Sequence, residues 1–182
     1  MRIITGTLKG RRLNPPESLP VRPTTDMARE SLFNILNNIT DYEDVEVLDL
    51  FSGTGAISFE FVSRGAKHVV AIEINNKCTD FIKKTADTFS IKNLHVVRAD
   101  VFDIIKRAYQ KFDIIFADPP YQLEELPQIP DMIFEKEMLK NDGILILEHS
   151  REHNFENHPH FWQHRKYGKV NFTFFKTNID NQ

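Results

Sequence analysis

The sequence predicts an α/β protein: a seven-stranded, mostly parallel sheet with helices on both faces, preceded by a short N-terminal β-hairpin arm. Three observations carry the prediction. From residue 45 onward, short apolar runs alternate with amphipathic helical stretches, which is the pattern of βαβ units and hence of a parallel sheet. Four of these runs end at or just before an acid: Asp49, Glu73, Asp100 and Asp118. The C-terminal stretch then loses the helical period and reads as two antiparallel strands.

Each element can be justified in order. "RIITGTLKGRRL" reads as two short strands around Gly6 and Gly10. "NPPESLPVRPT" is Pro-rich and irregular, so residues 1–25 are taken as the arm and 26–182 as the main domain. Thr24 or Thr25 caps a helix favoured by Asp26 in its first turn. Leu32, Ile35, Leu36 and Ile39 then follow i, i+3, i+4, i+7 spacing. "VEVLDLF" is the first strand of the sheet, and "SGTG" turns into the helix "AISFEFVSR", which Gly65 terminates. "HVVAIE" is the second strand. Asn75 or Asn76 caps a helix with Cys78, Phe81, Ile82, Thr85 and Phe89 on one face. "LHVVRAD" is the third strand, "VFDIIKRAY" a helix and "FDIIFAD" the fourth strand. A helix around residues 129–140 precedes the fifth strand, "GILILEHS". "QHRKYGK" and "VNFTFFKT" close the sheet, with Val170, Phe172 and Phe174 on one face.

Composition bounds the function. Of 182 residues, 41% are apolar and 27% charged, as in an ordinary soluble domain. The single cysteine, Cys78, forms no intramolecular disulfide and suits a reducing cytoplasm. "MRIITGTLKGRR" has no apolar signal core, and no run is long enough to span a bilayer. A cytoplasmic monomer without membrane contact is expected. The net charge of −3 argues against a general nucleic-acid binder, yet residues 1–29 hold six Lys/Arg and only two acids. A basic arm on an acidic body can bind phosphate locally.

The strand-end acids and the first turn narrow the ligand. The C-terminal edge of an open α/β sheet is where ligands bind. Ionised carboxylates only accept hydrogen bonds, so four of them suit hydroxyls, amines or positive charge, and not a run of phosphates. Gly53-Thr54-Gly55 is followed by Ala56-Ile57-Ser58, so the third glycine of the dinucleotide fingerprint is missing, and there is no Gly-Lys-Ser/Thr phosphate loop. Glu73 stands at the end of the next strand, where a carboxylate can accept from both hydroxyls of a ribose.

"DLFSGTGA", Glu73, "RAD" and "DPPY" together resemble the class I S-adenosylmethionine-dependent methyltransferases, in the branch that methylates amino groups on a Rossmann-like fold. The resemblance implies that Asp49, Phe51, Ser52, Gly53 and Gly55 form the loop around the methionine part of S-adenosylmethionine. Glu73 would hold the ribose with Ile74 against the adenine. Asp100 would accept from the adenine amine with Val101 beside the ring. The "DPPY" turn would be catalytic. Asp118 and Pro119 each precede a proline and are held extended, while Pro119 and Pro120 have fixed φ and no N–H. This stiff turn aims two acceptors, the Asp118 carboxylate and the Pro119 carbonyl, at one point. Both hydrogens of a base amine can be held there with the nitrogen lone pair turned to the methyl group. Tyr121 can stack on the base.

A narrower resemblance covers nearly the whole chain. "MRIITGTLKGRRL", "RPTTDMARESLFNIL", "VLDLFSGTGAISFEFVSRGA" and "IIFADPPY" are similar to the bacterial RsmD-type enzymes. These methylate the guanine N2 amine in 16S ribosomal RNA, so ribosomal RNA within the small subunit is the implied partner. Arg2, Lys9, Arg11 and Arg12 on the hairpin and Arg22 in the Pro-rich segment would contact its phosphates. Thr85 departs from the family's usual Asn, and Ser52 and Thr54 replace the commoner Ala and Ser. A DNA adenine or cytosine amino-methyltransferase, a glutamine-amide methyltransferase and a non-catalytic RNA-binding module are the alternatives. The five C-terminal histidines lack a metal-binding motif and are expected on a solvated surface, no metal is expected, and Trp162 has no evident role.

Overall fold

The computed structural model describes residues 1–17, 19 and 25–178; Arg22 and Thr24 lie outside the described residues. The Thr25 hydroxyl accepts from the Ala28 amide at 3.2 Å and starts helix α1 (Asp26–Leu36). The alternation follows as β1 (Glu46–Leu50), α2 (Ala56–Ser63), β2 (His68–Glu73), α3 (Asn76–Thr88), β3 (Leu94–Arg98), α4 (Val101–Lys106) and β4 (Phe112–Ala117). A 3-10 turn (Leu126–Gln128) leads to α5 (Ile129–Glu135), β5 (Leu139–His149), β6 (Phe161–Tyr167) and β7 (Val170–Lys176). One seven-stranded sheet results, in the order β3-β2-β1-β4-β5-β7-β6. The first five of these are parallel, and β7 runs antiparallel to both its neighbours.

Successive strand residues point to opposite faces, so the sheet divides two cores. Val47, Phe116, Ile146, Phe172 and Phe174 pack with Leu32 and Phe33 of α1, Phe59 of α2 and Ile82 of α3. Their neighbours Leu48, Ile115, Leu145 and Phe175 face the other way, onto Ile105 of α4 and Ile129 and Ile133 of α5. Asn75, not Asn76, caps α3 through its side chain. Cys78, Thr79, Ile82 and Ala86 form the buried face of α3, leaving Phe81, Thr85 and Phe89 only half-buried.

Four local expectations are corrected. Helix α4 stops at Lys106 instead of reaching Tyr109. Helix α5 ends at Glu135 because Glu137 takes a left-handed φ of 49° and Leu139 already pairs with Phe112, so β5 begins before Gly143 and is irregular there. His149 is buried rather than solvated: its ring nitrogens lie 2.7 Å from the Ser150 carbonyl and 2.8 Å from the Thr173 hydroxyl. Desolvation lowers its pKa below the usual histidine value. Trp162 is also placed, edge-on to Phe174 and under the Lys176 ammonium, 3.7 Å from the ring centroid.

The fourth correction concerns the N-terminal segment, which turns back on itself but forms no regular strands. An isolated antiparallel bridge joins Arg2 and Arg12, with the Ile3 amide donating to the Arg11 carbonyl at 3.0 Å. The Gly10 amide also donates to the Ile3 carbonyl at 2.9 Å and the Leu13 amide to the Met1 carbonyl at 3.0 Å, and the segment bonds helix α2 as well. The Thr7 amide donates to the Ser63 carbonyl at 2.7 Å and the Ile4 amide to Glu60 at 2.7 Å. Gly6 makes the approach possible, since a Cβ there would lie 1.8 Å from the Ser63 carbonyl oxygen. Ile3, Leu8 and Leu13 are buried in the α1–α2 core. Buried Glu60 also faces Arg29 and Arg64 at 3.4 and 3.5 Å, and Arg29 donates to the Arg2 carbonyl at 2.6 Å. A buried ion network thus fastens this segment to two helices.

Candidate active site

The sheet order places a switch point between β1 and β4, because the chain leaves β1 toward β2 and β3 on one side while β4 and β5 lie on the other. The crevice beyond the strand ends at such a point is where open α/β sheets bind ligands. Asp49, Phe51, Ser52, Gly53 and Gly55 lie on or just after β1, and Asp118 follows β4. Glu73 ends β2 and Asp100 follows β3. The structure therefore gathers all four strand-end acids on one edge.

The turn after β1 is held by backbone and carboxylate together. Phe51, Gly53 and Gly55 have φ of 62°, 55° and 75°. A non-glycine residue in this region is strained, and Phe51 is steadied by the Phe102 ring at 6.4 Å. The Ser52 hydroxyl donates to the Asp49 carbonyl at 2.8 Å. Glu73 spans two loops: one oxygen accepts from the Gly53 amide and the other from the Asn75 amide, each at 2.8 Å. Each carboxylate oxygen has more than one acceptor direction, so Glu73 can still accept from ligand hydroxyls. Ile74 beside it is an exposed apolar side chain, while Val101 is buried at the start of α4. Asp100 caps α4, accepting from the Phe102 amide at 2.8 Å through one oxygen.

Asp49 is fully buried and hydrogen-bonded by the Ser58 hydroxyl. Its pKa is pushed up to about 7, chiefly by burial, against the Ser58 bond and with help from the negative charges of Asp118 and Glu73. Three carboxylates close enough to feel one another form a site that favours a cation. The Asp118 amide donates to the Leu50 carbonyl at 3.4 Å, so the "DPPY" turn leaves the sheet beside Phe51. Pro119 is buried, Pro120 exposed and Tyr121 partly exposed. The Tyr121 hydroxyl donates to Glu148 of β5 at 3.1 Å. A cleft of about 340 Å³ opens beside Asp100, lined by Phe102, Lys106 and Gln128 among others. Another, about 360 Å³, lies at the opposite sheet edge around Tyr109, Lys111 and Glu137, away from every candidate side chain.

Of the basic residues of the N-terminal segment, Arg11 is placed away from this edge. Arg2, Lys9, Arg11 and Arg12 are exposed. The Arg11 guanidinium sits 4.9 Å from the Phe89 ring centroid, at the C-terminal end of α3. At 1.5 Å per residue, the length of α3 puts it roughly 20 Å from Asn75 and Glu73. Arg22 lies outside the described residues.

Sequence reasoning missed Ser58, which bonds Asp49, and Phe102, which packs on Phe51. It also missed Glu148, although this residue carries the same signal as the other four, an acid near the end of a parallel strand. Among the described residues no group of three or more His, Cys, Asp or Glu is arranged to hold a metal ion.

A parallel sheet that ends on an antiparallel strand pair, with a glycine turn and acids at its switch point, defines a Rossmann-like methyltransferase of class I. The family profile described as "Conserved hypothetical protein 95" matches residues 1–176. "Ribosomal RNA small subunit methyltransferase D" of Buchnera aphidicola subsp. Baizongia pistaciae is 34% identical over 185 residues, covering 100% of this chain and 93% of its own. The Escherichia coli K12 protein of the same name is 30% identical over 167 residues, covering 91% and 83%. A solved structure of the Escherichia coli protein yhhF superposes with a TM-score of 0.84 at 27% identity, over 97% of both chains. The chain belongs to the ribosomal RNA small subunit methyltransferase D family.

Proposed function

We propose that the protein transfers a methyl group from S-adenosylmethionine to the exocyclic N2 amine of a guanine in 16S ribosomal RNA, acting as a cytoplasmic monomer on RNA of the small ribosomal subunit. The observation that carries this reading is the position of the Asp118-Pro119-Pro120-Tyr121 turn, directly beyond β4 and beside the Glu73-clamped glycine turn of β1. The residues fit the cofactor by their chemistry. Glu73 supplies ribose acceptors, Ile74 and Val101 supply apolar surface, Asp100 keeps a carboxylate oxygen for an amine, and Asp118 and Glu73 bring carboxylates to the positive sulfur. When bound, S-adenosylmethionine supplies an electrophilic methyl group on a positively charged sulfur.

The chain's own part is positioning and charge. Asp118 and the Pro119 carbonyl accept the two amine hydrogens, which turns the nitrogen lone pair out of the base plane and toward the methyl carbon. A cofactor held by Glu73, Ile74, Asp100 and Val101 would give up its methyl group to that nitrogen and leave as a neutral thioether. The nitrogen gains positive charge, its N–H becomes acidic, and the Asp118 carboxylate is the acceptor already bonded to that proton. Holding the two reactants in line supplies much of the acceleration, and fixed dipoles aimed at the nitrogen stabilise its developing charge. Tyr121, held through its hydroxyl by Glu148, offers its ring to the base, which must be unstacked to enter. Arg2, Lys9, Arg11, Arg12 and Arg22 contact RNA phosphates at a distance from the target base.

The test is transfer of a labelled methyl group to unmodified small-subunit RNA, free and assembled, with the modified base mapped. Asp118→Ala should bind cofactor normally and lose turnover. Single-turnover transfer within a few-fold of wild type would overturn the mechanism, and methylation of another base or of DNA alone would overturn the substrate.

A further inference from the structure

We infer that the tip of the β6–β7 hairpin is the phosphate-binding surface nearest the target base, a reading that rests on the RNA substrate proposed above. Residues 157–178 carry four Lys/Arg (Arg165, Lys166, Lys169 and Lys176) and no Asp or Glu, in a chain whose net charge is −3. Lys176 is engaged over Trp162. Arg165, Lys166 and Lys169 are exposed, as is Arg151 on the adjoining loop, and none of the four forms an ion pair among the described residues. Glu152 is the exposed acid next to Arg151.

Sheet register fixes where this tip lies. Ala117, the last residue of β4, pairs with Leu147 of β5, which puts Asp118 level with Glu148. Glu148 pairs with Phe172 of β7, and Phe172 with Arg165 of β6. The next row runs His149, Asn171, Lys166. At about 4.8 Å per strand, Arg165 stands roughly 14 Å across the sheet from Asp118, on the same edge. By contrast, Lys9 and Arg11 sit at the helix ends of the opposite edge. The hairpin is also tight. Tyr167 pairs with Val170 across a two-residue turn whose first residue, Gly168, has a φ of 62°, the conformation that tight hairpins require there. The backbone positions of these cations are thus fixed by the turn and the pairing of β6 with β7.

The partner that fits is a polyanion threading past Asp118, meaning the sugar-phosphate strand on either side of the base. Such contacts position the substrate without reading its sequence. The structural alternative is that cations on β6, an edge strand, only prevent sheet-to-sheet pairing. The experiment uses unmodified small-subunit RNA, the full chain, and the variant Arg165→Gln/Lys166→Gln/Lys169→Gln. RNA affinity is measured across a salt titration, with circular dichroism and cofactor calorimetry on the same samples. A control, Lys111→Gln/Lys136→Gln, removes charge at the opposite edge. The triple variant should bind RNA more weakly, with a salt slope shallower by about 2 to 3, since each phosphate contact contributes roughly 0.7 to 0.9. Cofactor affinity should be unchanged and the control should match the parent. Overlapping curves for triple variant and parent, where the parent methylates RNA, would overturn the inference and leave these cations as an edge guard. Equal flattening in the control would overturn it in favour of net charge. A parent that neither binds nor methylates RNA would overturn the proposed function, and this inference with it.

Discussion

Replacing Glu73 by glutamine tests the site at its most connected residue. In the wild type both carboxylate oxygens accept backbone amides, from Gly53 and Asn75, at 2.8 Å each, and the residue is only 8% exposed. Glutamine keeps the shape but offers one oxygen and one NH2 group. Either way round, one backbone N–H then faces another donor. A hydrogen bond to a charged group contributes about 1.5–3 kcal/mol, so the loss should be on the order of 2 kcal/mol. For a chain of this length that lowers Tm by roughly 4–8 °C. The same substitution removes an acceptor from the ribose, so cofactor affinity should fall by about 1–3 kcal/mol, roughly 5- to 150-fold. Thermal denaturation without cofactor reads the first effect, and calorimetry well below Tm reads the second. A lowered Tm with unchanged cofactor affinity would reduce Glu73 to a loop clamp. An unchanged Tm would refute the claim that it holds the two turns together.

Three further outcomes are expected. Because burial raises the Asp49 pKa to about 7 in the folded chain, folding retains a proton that the unfolded chain releases near pH 4. The stabilisation from this group is therefore full below about pH 4, is lost as pH rises toward 7 and is flat above it; subtracting the urea-denaturation profile of Asp49→Asn should isolate that slope, and a difference that rises with pH would contradict it. Gly55→Ala should cost about 2 kcal/mol in thermal or urea unfolding, since its φ is 75° and the new Cβ would lie 2.9 Å from the Ile82 side chain; unaltered stability would mean the turn can relax. Tyr121→Phe removes the bond to Glu148 but keeps the ring, so kcat should fall several-fold with cofactor affinity intact, whereas a fall equal to that of Tyr121→Ala would place the role in the hydroxyl rather than in stacking.

What could be read from the sequence was whatever depends on a short period or a single strand. Asp49, Glu73, Asp100 and Asp118 could be put on one edge because each follows an apolar run, and parallel strands align their C-terminal ends by topology alone. The caps were legible to within one residue, as Thr24 or Thr25 and as Asn75 or Asn76, because capping is local. Glu73's second task was not legible, because it depends on two turns approaching within hydrogen-bond distance of one side chain. Nor was the start of β5, where the pairing of Leu139 with Phe112 overrides a helical-looking segment.

The basic residues make the same point for function. Counting charge along the chain singled out residues 1–29, and an N-terminal arm was the natural substrate handle. Docking of that segment depends on Gly6 pressing against Ser63 and on the buried Arg29–Glu60 pair, and it carries Arg11 to the far end of α3. The C-terminal hairpin has the same excess of four positive charges over acids. Its position is set by strand order, since β7 enters the sheet between β5 and β6 and runs antiparallel to both. Because β6 runs in the same direction as β4 and β5, the β6–β7 connection lies at the edge where β4 ends. Had β6 paired directly with β5 in parallel, the connection would still reach this edge, but Arg165 would stand one strand closer to Asp118, roughly 10 Å away instead of 14. The inserted strand thus leaves a gap two strands wide, β5 and β7, between the acceptor turn and the cations, and an RNA strand crossing that gap can present its base at Asp118 and its flanking phosphates to Arg165 and Lys166.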